Sequence, residues 1–351
     1  MPPVTKALKK GVRKMASIIQ VQQSNIQACT TENGANPTSG GGLTPDTQLH
    51  PFTAPRAHAQ GTVFDIGGSK LSLTLGPLLE EKLFALTGRQ LIKADGTRQR
   101  LLPSALLSDD TGLSLWREIN RLPDYYQTRD EIDLFAKFGA HIAQLVPDNA
   151  TLIDLGAGDV RKVQPFLDAL ELARKPILYL ALDLSRSSLE SGSILGNDWH
   201  SGAVFGLSRF AQRLHSEDRM LLGMDSCKNR ATIWQSYHDK QGIFEQFMRN
   251  GLERANDIVG CHWYRPEDWA IEGAWNEDPV MHFFQITALR DVVVDKLGVK
   301  LVQGTRLDCY EAFKYEPREM QQTFADSGMD LLYTWTSPSK RIVQYLLAPI
   351  D

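Results

Sequence analysis

The chain has 351 residues, 42% hydrophobic and 23% charged, enough to bury a core in one large or two medium domains. A formal charge of −4 and an isoelectric point near 6.1 carry no electrostatic footprint for nucleic acid, which leaves small molecules as the expected partners of what is expected to be a monomer. Cys29, Cys227, Cys261 and Cys309 are too scattered for a zinc module or a disulfide framework and fit a cytoplasmic protein, and no apolar run approaches the roughly 18 residues that cross a bilayer.

The opening stretch "MPPVTKALKKGVRKMASIIQ" sets Lys6, Lys9, Lys10, Arg13 and Lys14 ahead of any acidic residue, a pattern shared by organelle presequences and by solvated basic tails. Residues 20 to 58 are rich in Gln, Asn, Thr, Gly and Pro without a period, so residues 1–58 are expected to form a low-complexity extension. Residues 59–128 read as a helical lead-in, beginning with the helical apolar spacing of "GPLLEEKLFALTG". Within it "RLPDYYQTRDE" gathers two tyrosines and a proline before the helix of "EIDLFAKFGAHIAQLV", with Thr128 or Asp130 as its cap.

The next segment, "ATLIDLGAGDVRKVQPFLDALE", reads as a buried strand, a glycine turn and a helix whose Val163, Phe166, Leu167 and Leu170 share a face; a second strand, "ILYLALDLS", follows. This is a βαβ unit, the start of an open parallel sheet that binds ligands at the carboxyl ends of its strands. Gly156 and Gly158 allow the backbone a tight turn and a close approach to a ligand. Arg161 stands where a dinucleotide fingerprint needs its third glycine, so phosphate binding loses ground. A GxG followed by an acid at the next strand end suits S-adenosylmethionine, whose ribose hydroxyls Asp183 would accept; a generic turn with Asp183 as helix cap is the other reading.

Farther on, "GMDSCKNRATIWQSYHDKQG" places Tyr237, His238 and Asp239 in a polar turn, where His238 and Asp239 suggest either acid–base chemistry or a local hydrogen bond. "GIFEQFMRNGLERANDIVG" is an amphipathic helix with Ile243, Phe244, Phe247, Met248 and Leu252 on one side and Gly260 as its stop. The tryptophans of "CHWYRPEDWAIEGAWNEDP" lie in a stretch interrupted by Pro, Gly and charge, read as a long loop that lines a pocket or caps the core. "KLVQGTRLDCYEAFKY", "MDLLYTWTSP" and "RIVQYLLAP" read as strands, with one helix in "REMQQTFADSG". The eight histidines show no HxH or HExxH spacing, so no metal site is expected.

Taken in order, "LPSALLSDDTGLSLWREINRLPDYYQTRDEI", "DLGAGDVRKV", "LALDLSRSSLE", "GSILGND", "GMDSCKNRATIWQSYHDKQGIFEQFMRNGL" and "FKYEP" resemble the histidine-specific S-adenosylmethionine-dependent methyltransferase family over most of residues 60 to 350. Within it the chain is similar to the stand-alone fungal branch that N-methylates 4-dimethylallyltryptophan. The resemblance implies an α/β fold: a class I, Rossmann-like sheet over 129–227 for the methyl donor, completed by a helix and strands in 317–351. It also implies a smaller α+β substrate domain built from the lead-in and residues 228–316. S-adenosylmethionine would be the co-substrate, held by Gly156, Gly158, Lys162 and Asp183, with no metal. An amino-acid substrate would be met by Tyr126, Asn197 and Tyr237, with Tyr126 and Tyr237 at the reacting amine. Where histidine-specific members carry an acid and a serine that grip the imidazole, this chain, aligned on Lys314, has Tyr310 and Ala312, with Glu311 one register away. That departure favours a larger apolar side chain, such as the indole of tryptophan or 4-dimethylallyltryptophan, over histidine.

The interval between Asp183 and Ser193 is too short for the sheet that the resemblance implies. Parallel strands need a crossover of about a dozen residues, and the family puts two helices and two strands between its "DLS" and its "GSxxGN". Here "LSRSSLESG" stands in their place. Two readings follow: a methyltransferase whose coding segment is missing from this sequence, or a degenerate protein that binds the donor poorly or serves as a non-catalytic partner.

Overall fold

The computed structural model describes residues 75–77, 79, 102–156, 160–182 and 200–350. Helix α1 (Asp110–Ile119) starts at Asp109, whose side chain accepts from the Gly112 N–H, the capping bond that a short acid supplies at a helix start. Helix α2 (Tyr126–Leu145) follows, and its entry is not capped as the sequence suggests. Thr128 donates instead to Asn120 Oδ1 at 2.8 Å, and Asp130 takes Arg341 in a two-pronged ion pair at 2.6 and 2.8 Å. A buried carboxylate facing a guanidinium fork gains more there than at a helix terminus.

Strand β1 (Ala150–Leu155), helix α3 (Gln164–Leu172) and strand β2 (Ile177–Leu182) form the expected βαβ unit, with β1 and β2 parallel and Ala150 opposite Ile177. Val163, Phe166 and Leu170 are buried under α2 with Leu134, Phe135, Ile142 and Ala143. Helix α4 (His200–Ala211) and strand β3 (Met220–Asp225) come next, then helices α5 (Arg230–Tyr237) and α6 (Ile243–Val259), the latter closed by Gly260 as expected.

The tryptophan-rich segment departs from its reading as a loop. It contains strand β4 (Trp269–Glu277), which turns into strand β5 (Val280–Ala288), and Trp263 and Trp269 are buried in the core. Pro279 sits in the turn and Gly273 inside the strand, so the two breakers mark a hairpin rather than a long loop. The stretch from Lys300 is likewise split, between β7 (Val299–Leu301), which pairs with the preceding β6 (Val292–Val294), and β8 (Arg306–Phe313), which pairs with β5. Helix α7 (Pro317–Asp326) and strands β9 (Met329–Thr336) and β10 (Ile342–Pro349) end the chain's regular structure.

Three sheets matter for the site: β1–β2, β3–β10–β9 and β4–β5–β8. Strand β10 runs antiparallel between β3 and β9. Among the described residues no ladder joins β1 to β3, so each has one strand edge without a partner. One core spans that gap: Leu152 of β1, Leu221 of β3 and Ile342 and Leu346 of β10 all pack under α2. None of the described helices is long and apolar enough to cross a membrane.

Removing one member of a buried ion pair leaves the other charge stranded, at a cost of about 3–5 kcal/mol. Asp130 is 2% exposed at its side chain, so Arg341→Met is expected to lower stability by about 3 kcal/mol. Urea unfolding of variant and parent checks it, and Lys137→Met on the exposed side of α2 is the neutral control.

Candidate active site

Four elements deliver one polar cluster. Asp225 is the last residue of β3, Tyr126 the first of α2, Tyr237 the last of α5, and Lys314 follows β8. The Tyr126 hydroxyl donates to Asp225 Oδ2 at 2.6 Å, and Lys314 Nζ lies 3.0 Å from the same oxygen and donates to the Tyr237 hydroxyl at 2.9 Å. Gln127 Nε2 donates to the Tyr237 oxygen and to Ser236 Oγ, both at 3.3 Å. The backbone N–H of Cys227 donates to the other Asp225 oxygen at 3.0 Å.

Burial, then the nearby Asp225, raises the Tyr126 phenol well above its usual range; burial also raises Tyr237, against the lowering by Lys314. Burial pulls the Lys314 ammonium down, but Asp225 and Tyr237 outweigh it and hold the group above the ordinary lysine range. Both phenols are therefore neutral and the ammonium charged at neutral pH. Tyr126 has committed its proton to Asp225, so its oxygen, with the Cys227 thiol nearby, is left as an acceptor. Tyr237 is the converse: its oxygen receives from Lys314 and Gln127, and among the described residues its own proton has no acceptor.

An aromatic wall adjoins the cluster. Between Phe284 and His282 the pairing of β5 with β8 slips by one residue, so that Tyr310, at φ 53°, and Glu311 together oppose Phe283. The extra residue reverses the alternation along β8. Leu307, Cys309, Tyr310 and Ala312 consequently share the core beneath α1 and α6, while Phe313 joins the opposite face. Tyr310, rather than Glu311, meets Trp116, Phe244, Phe247 and Tyr237, at ring centroids of 6.0, 6.3, 6.0 and 6.2 Å. A cavity of about 470 Å³ opens beside Tyr237, lined also by Trp234, His238, Phe244, Ile271 and Phe284, a size suited to a small organic ligand.

His238 and Asp239 do not form the pair that their adjacency suggests. Asp239 accepts from the N–H groups of Gln241, Ile243 and Phe244, all at 3.0 Å, and so caps α6. His238 instead stacks on Trp234 and meets His282, Nε2 to Nε2 at 3.1 Å. Burial lowers the pKa of His238.

Of the residues assigned to the donor, Gly156 ends β1 at φ 71°, the left-handed conformation its turn requires. Lys162 is buried in the following 3₁₀ turn, 3.8 Å from Glu131. Gly158, Asp183 and Asn197 lie outside the described residues. Asp225, Gln127 and His282 were not singled out from the sequence. The signal for Asp225 is an acid that ends an apolar run, "MLLGMD", at the carboxyl end of a strand, where open sheets bind their ligands. The sequence offers no direct signal for Lys314, which closes a short strand like many lysines.

The family described as histidine-specific methyltransferase, SAM-dependent, matches residues 88–192 and 191–349. The chain belongs to this family. Ergothioneine biosynthesis protein 1 of Neurospora crassa is 32% identical over 286 residues, which cover 69% of this chain and 32% of that protein. The chain thus spans about a third of that relative's length. N-methyltransferase imqF of Aspergillus flavus is 27% identical over 302 residues, covering 70% of this chain and 82% of the relative. 4-Dimethylallyltryptophan N-methyltransferase easF of Claviceps purpurea is 24% identical over 327 residues, covering 74% and 93%. The family match breaks at 191–192, inside the interval that is too short for a crossover. The Neurospora alignment sets 286 positions against 69% of 351 residues, about 242, so about 44 positions of that relative have no counterpart here. S-adenosylmethionine is the family's co-substrate, and no group of three or more metal-ligating side chains occurs among the described residues.

Burial, with His238 and Lys314 nearby, holds His282 down at about 2. The unfolded chain takes a proton there near pH 6.5 and the folded one does not, so this contribution to stability is present above that pH and is lost as pH falls. The loss is at most about 1.4 kcal/mol per pH unit. Urea unfolding at pH 7, 6 and 5 is expected to show a shallower fall for His282→Leu than for the parent; equal slopes would contradict the assignment.

Proposed function

We propose that the protein is an S-adenosylmethionine-dependent N-methyltransferase acting on the α-amino group of an aromatic amino acid, with 4-dimethylallyltryptophan or tryptophan preferred over histidine. The observation that carries this reading is the opposite polarity of the two tyrosines around Asp225 and Lys314. An amino acid presents N–H donors beside a carboxylate acceptor; Tyr126 offers an oxygen and Tyr237 a proton, within one hydrogen-bonded cluster. Tyr310 and Ala312 supply an aromatic ring and a small methyl, and no charge of their own, to the neighbouring wall, which favours an indole over an imidazole.

The co-substrate supplies a methyl group on a sulfonium sulfur, already a good leaving group, so the chain has to orient the amine and keep it neutral. The buried cluster does both: Tyr126 accepts from the amine, Tyr237 holds the carboxylate, and exclusion of water disfavours the ammonium form. Neither phenol ionises near neutral pH, so the ammonium gives its proton to water on entering the site rather than to a tyrosinate within it. The left-handed turn at Gly156 and the buried Lys162 ammonium fit the methionine part of the co-substrate. The ribose contact, Asp183, lies outside the described residues.

A second reading is favoured by the edges of β1 and β3 that have no partner strand among the described residues and by the positions of the Neurospora protein without a counterpart here. In it the chain keeps the amino-acid half of the site and binds without transferring a methyl group. Calorimetric titration with S-adenosylmethionine separates the two: no heat at millimolar ligand, from a folded protein, would exclude the enzyme and leave the binding protein. Where the co-substrate binds, incubation with tryptophan, 4-dimethylallyltryptophan and histidine is expected to give products heavier by one or more methylene masses, most from the indoles. Tyr237→Phe is expected to weaken amino-acid binding by about tenfold, the worth of one hydrogen bond to a charged group.

A further inference from the structure

The Tyr237 hydroxyl can serve a ligand only while its ring is held, and α5, eight residues long and ending at that residue, is a weak support by itself. The support comes from across the site. The imidazole of His282, on the central strand β5, lies face to face with the Tyr237 ring, centroids 4.4 Å apart and planes at 13°. Its cross-strand neighbour on β8 is Ala312, a side chain small enough to leave that space to the imidazole.

His282 is fully buried, yet its Nδ1 meets no partner. An unpaired buried polar atom is unfavourable, so packing alone would be better served by leucine or methionine. What the imidazole has and they lack is Nε2, 3.1 Å from Nε2 of His238. An orphaned acceptor is tolerated more readily than an orphaned N–H, which assigns the His282 proton to Nε2, donating to His238, and leaves the His238 proton on Nδ1.

His238 is fixed in its turn. Trp234 stacks on it at 4.1 Å and 11°. On strand β4, a Cβ at Gly273 would fall 2.1 Å from its Nε2 and 2.2 Å from its Cε1, so only glycine lets the ring lie there. His238 and Tyr237 also border the same cavity.

We propose that His282 is a positioning residue for Tyr237, anchored through His238 against Gly273, so that the group filling the cavity and the hydroxyl that meets the amino-acid head are set by one string of rings. This rests on the reading of Tyr237 as a substrate-binding residue, and the two fail separately. The test uses the full chain labelled with 13C-tyrosine and 15N-histidine. Without ligand, His282 is expected to show a protonated Nε2 and a bare Nδ1. His282→Leu and Gly273→Ala are each expected to shift and broaden the Tyr237 ring signals. In tryptophan titrations both variants are expected to lose about tenfold in affinity, with thermal midpoints held within a few degrees of the parent. Unchanged Tyr237 signals in a folded His282→Leu chain would overturn the proposal, as would a protonated Nδ1 on His282. If the parent binds neither tryptophan, 4-dimethylallyltryptophan nor histidine, the substrate reading fails, while the Tyr237 signals of the ligand-free chains still decide the positioning role.

Discussion

Lys314 and Asp225 meet at 3.0 Å where water hardly reaches, their side chains 3% and 13% exposed. Taking two such charges out of water costs several kcal/mol each, and their attraction offsets this only when the remaining lone pairs and protons are also satisfied. Here they are. One oxygen of Asp225 takes Lys314 and the Tyr126 hydroxyl, the other takes the Cys227 N–H, and Lys314 spends a second proton on Tyr237. Each of these partners arrives on a different piece of chain: the start of α2, the loop after β3, the end of α5 and the residue beyond β8. Moving any one would leave a buried charge short of a partner, so the pair turns four tolerances into one. The polarity of the two tyrosines follows from it, because Asp225 fixes where one phenolic proton goes and Lys314 fixes where the other cannot go.

The elements that were readable in the sequence are those whose stability is local. Helices α2, α3 and α6 announce themselves by apolar residues three and four apart, and strand β1 by a short apolar run ending in glycine. What was not readable depends on partners distant in the chain. Asp225 and Lys314 are 89 residues apart and each looks like an ordinary strand end. Strand β4 carries Gly273, Glu272 and Glu277, which read as loop; the glycine leaves room for the imidazole of His238, the residue after α5. His238 and Asp239 mislead by adjacency, since a carboxylate at the foot of α6 gains more from three N–H groups than from one imidazole. The choice between Tyr310 and Glu311 rested on a bulge that no period-two count can register.

The short interval after β2 has a visible consequence in the sheets. Strands of a parallel sheet are normally buried on both faces, yet every described side chain of β2 is at least partly accessible, and Leu178 is 46% exposed. The apolar character of "ILYLAL" is thus that of an interior strand, while its surroundings are those of an edge. The break in the family match falls in the same place. The exposure of β2 and the break in the family match thus fall on the same part of the chain.

The two sheets are tied together by α2. Its apolar residues Leu134, Phe135, Ile142 and Ala143 share one core with Leu152 of β1, Phe166 of α3, Leu221 of β3 and Leu346 of β10, although no ladder joins the two sheets among the described residues. At its foot Asp130 grips Arg341, whose guanidinium lies 4.7 Å from the Tyr126 ring centroid. The helix therefore holds Tyr126 from the β10 side, where the sheet is whole. Lys314, Tyr237 and Asp225 are set from that side too. The contacts that give the two tyrosines their opposite polarity therefore do not involve β1 or β2. On the proposed reading the amino-acid head would be met by groups from α2, β3, α5 and the residue after β8, none of which belongs to the β1–β2 sheet.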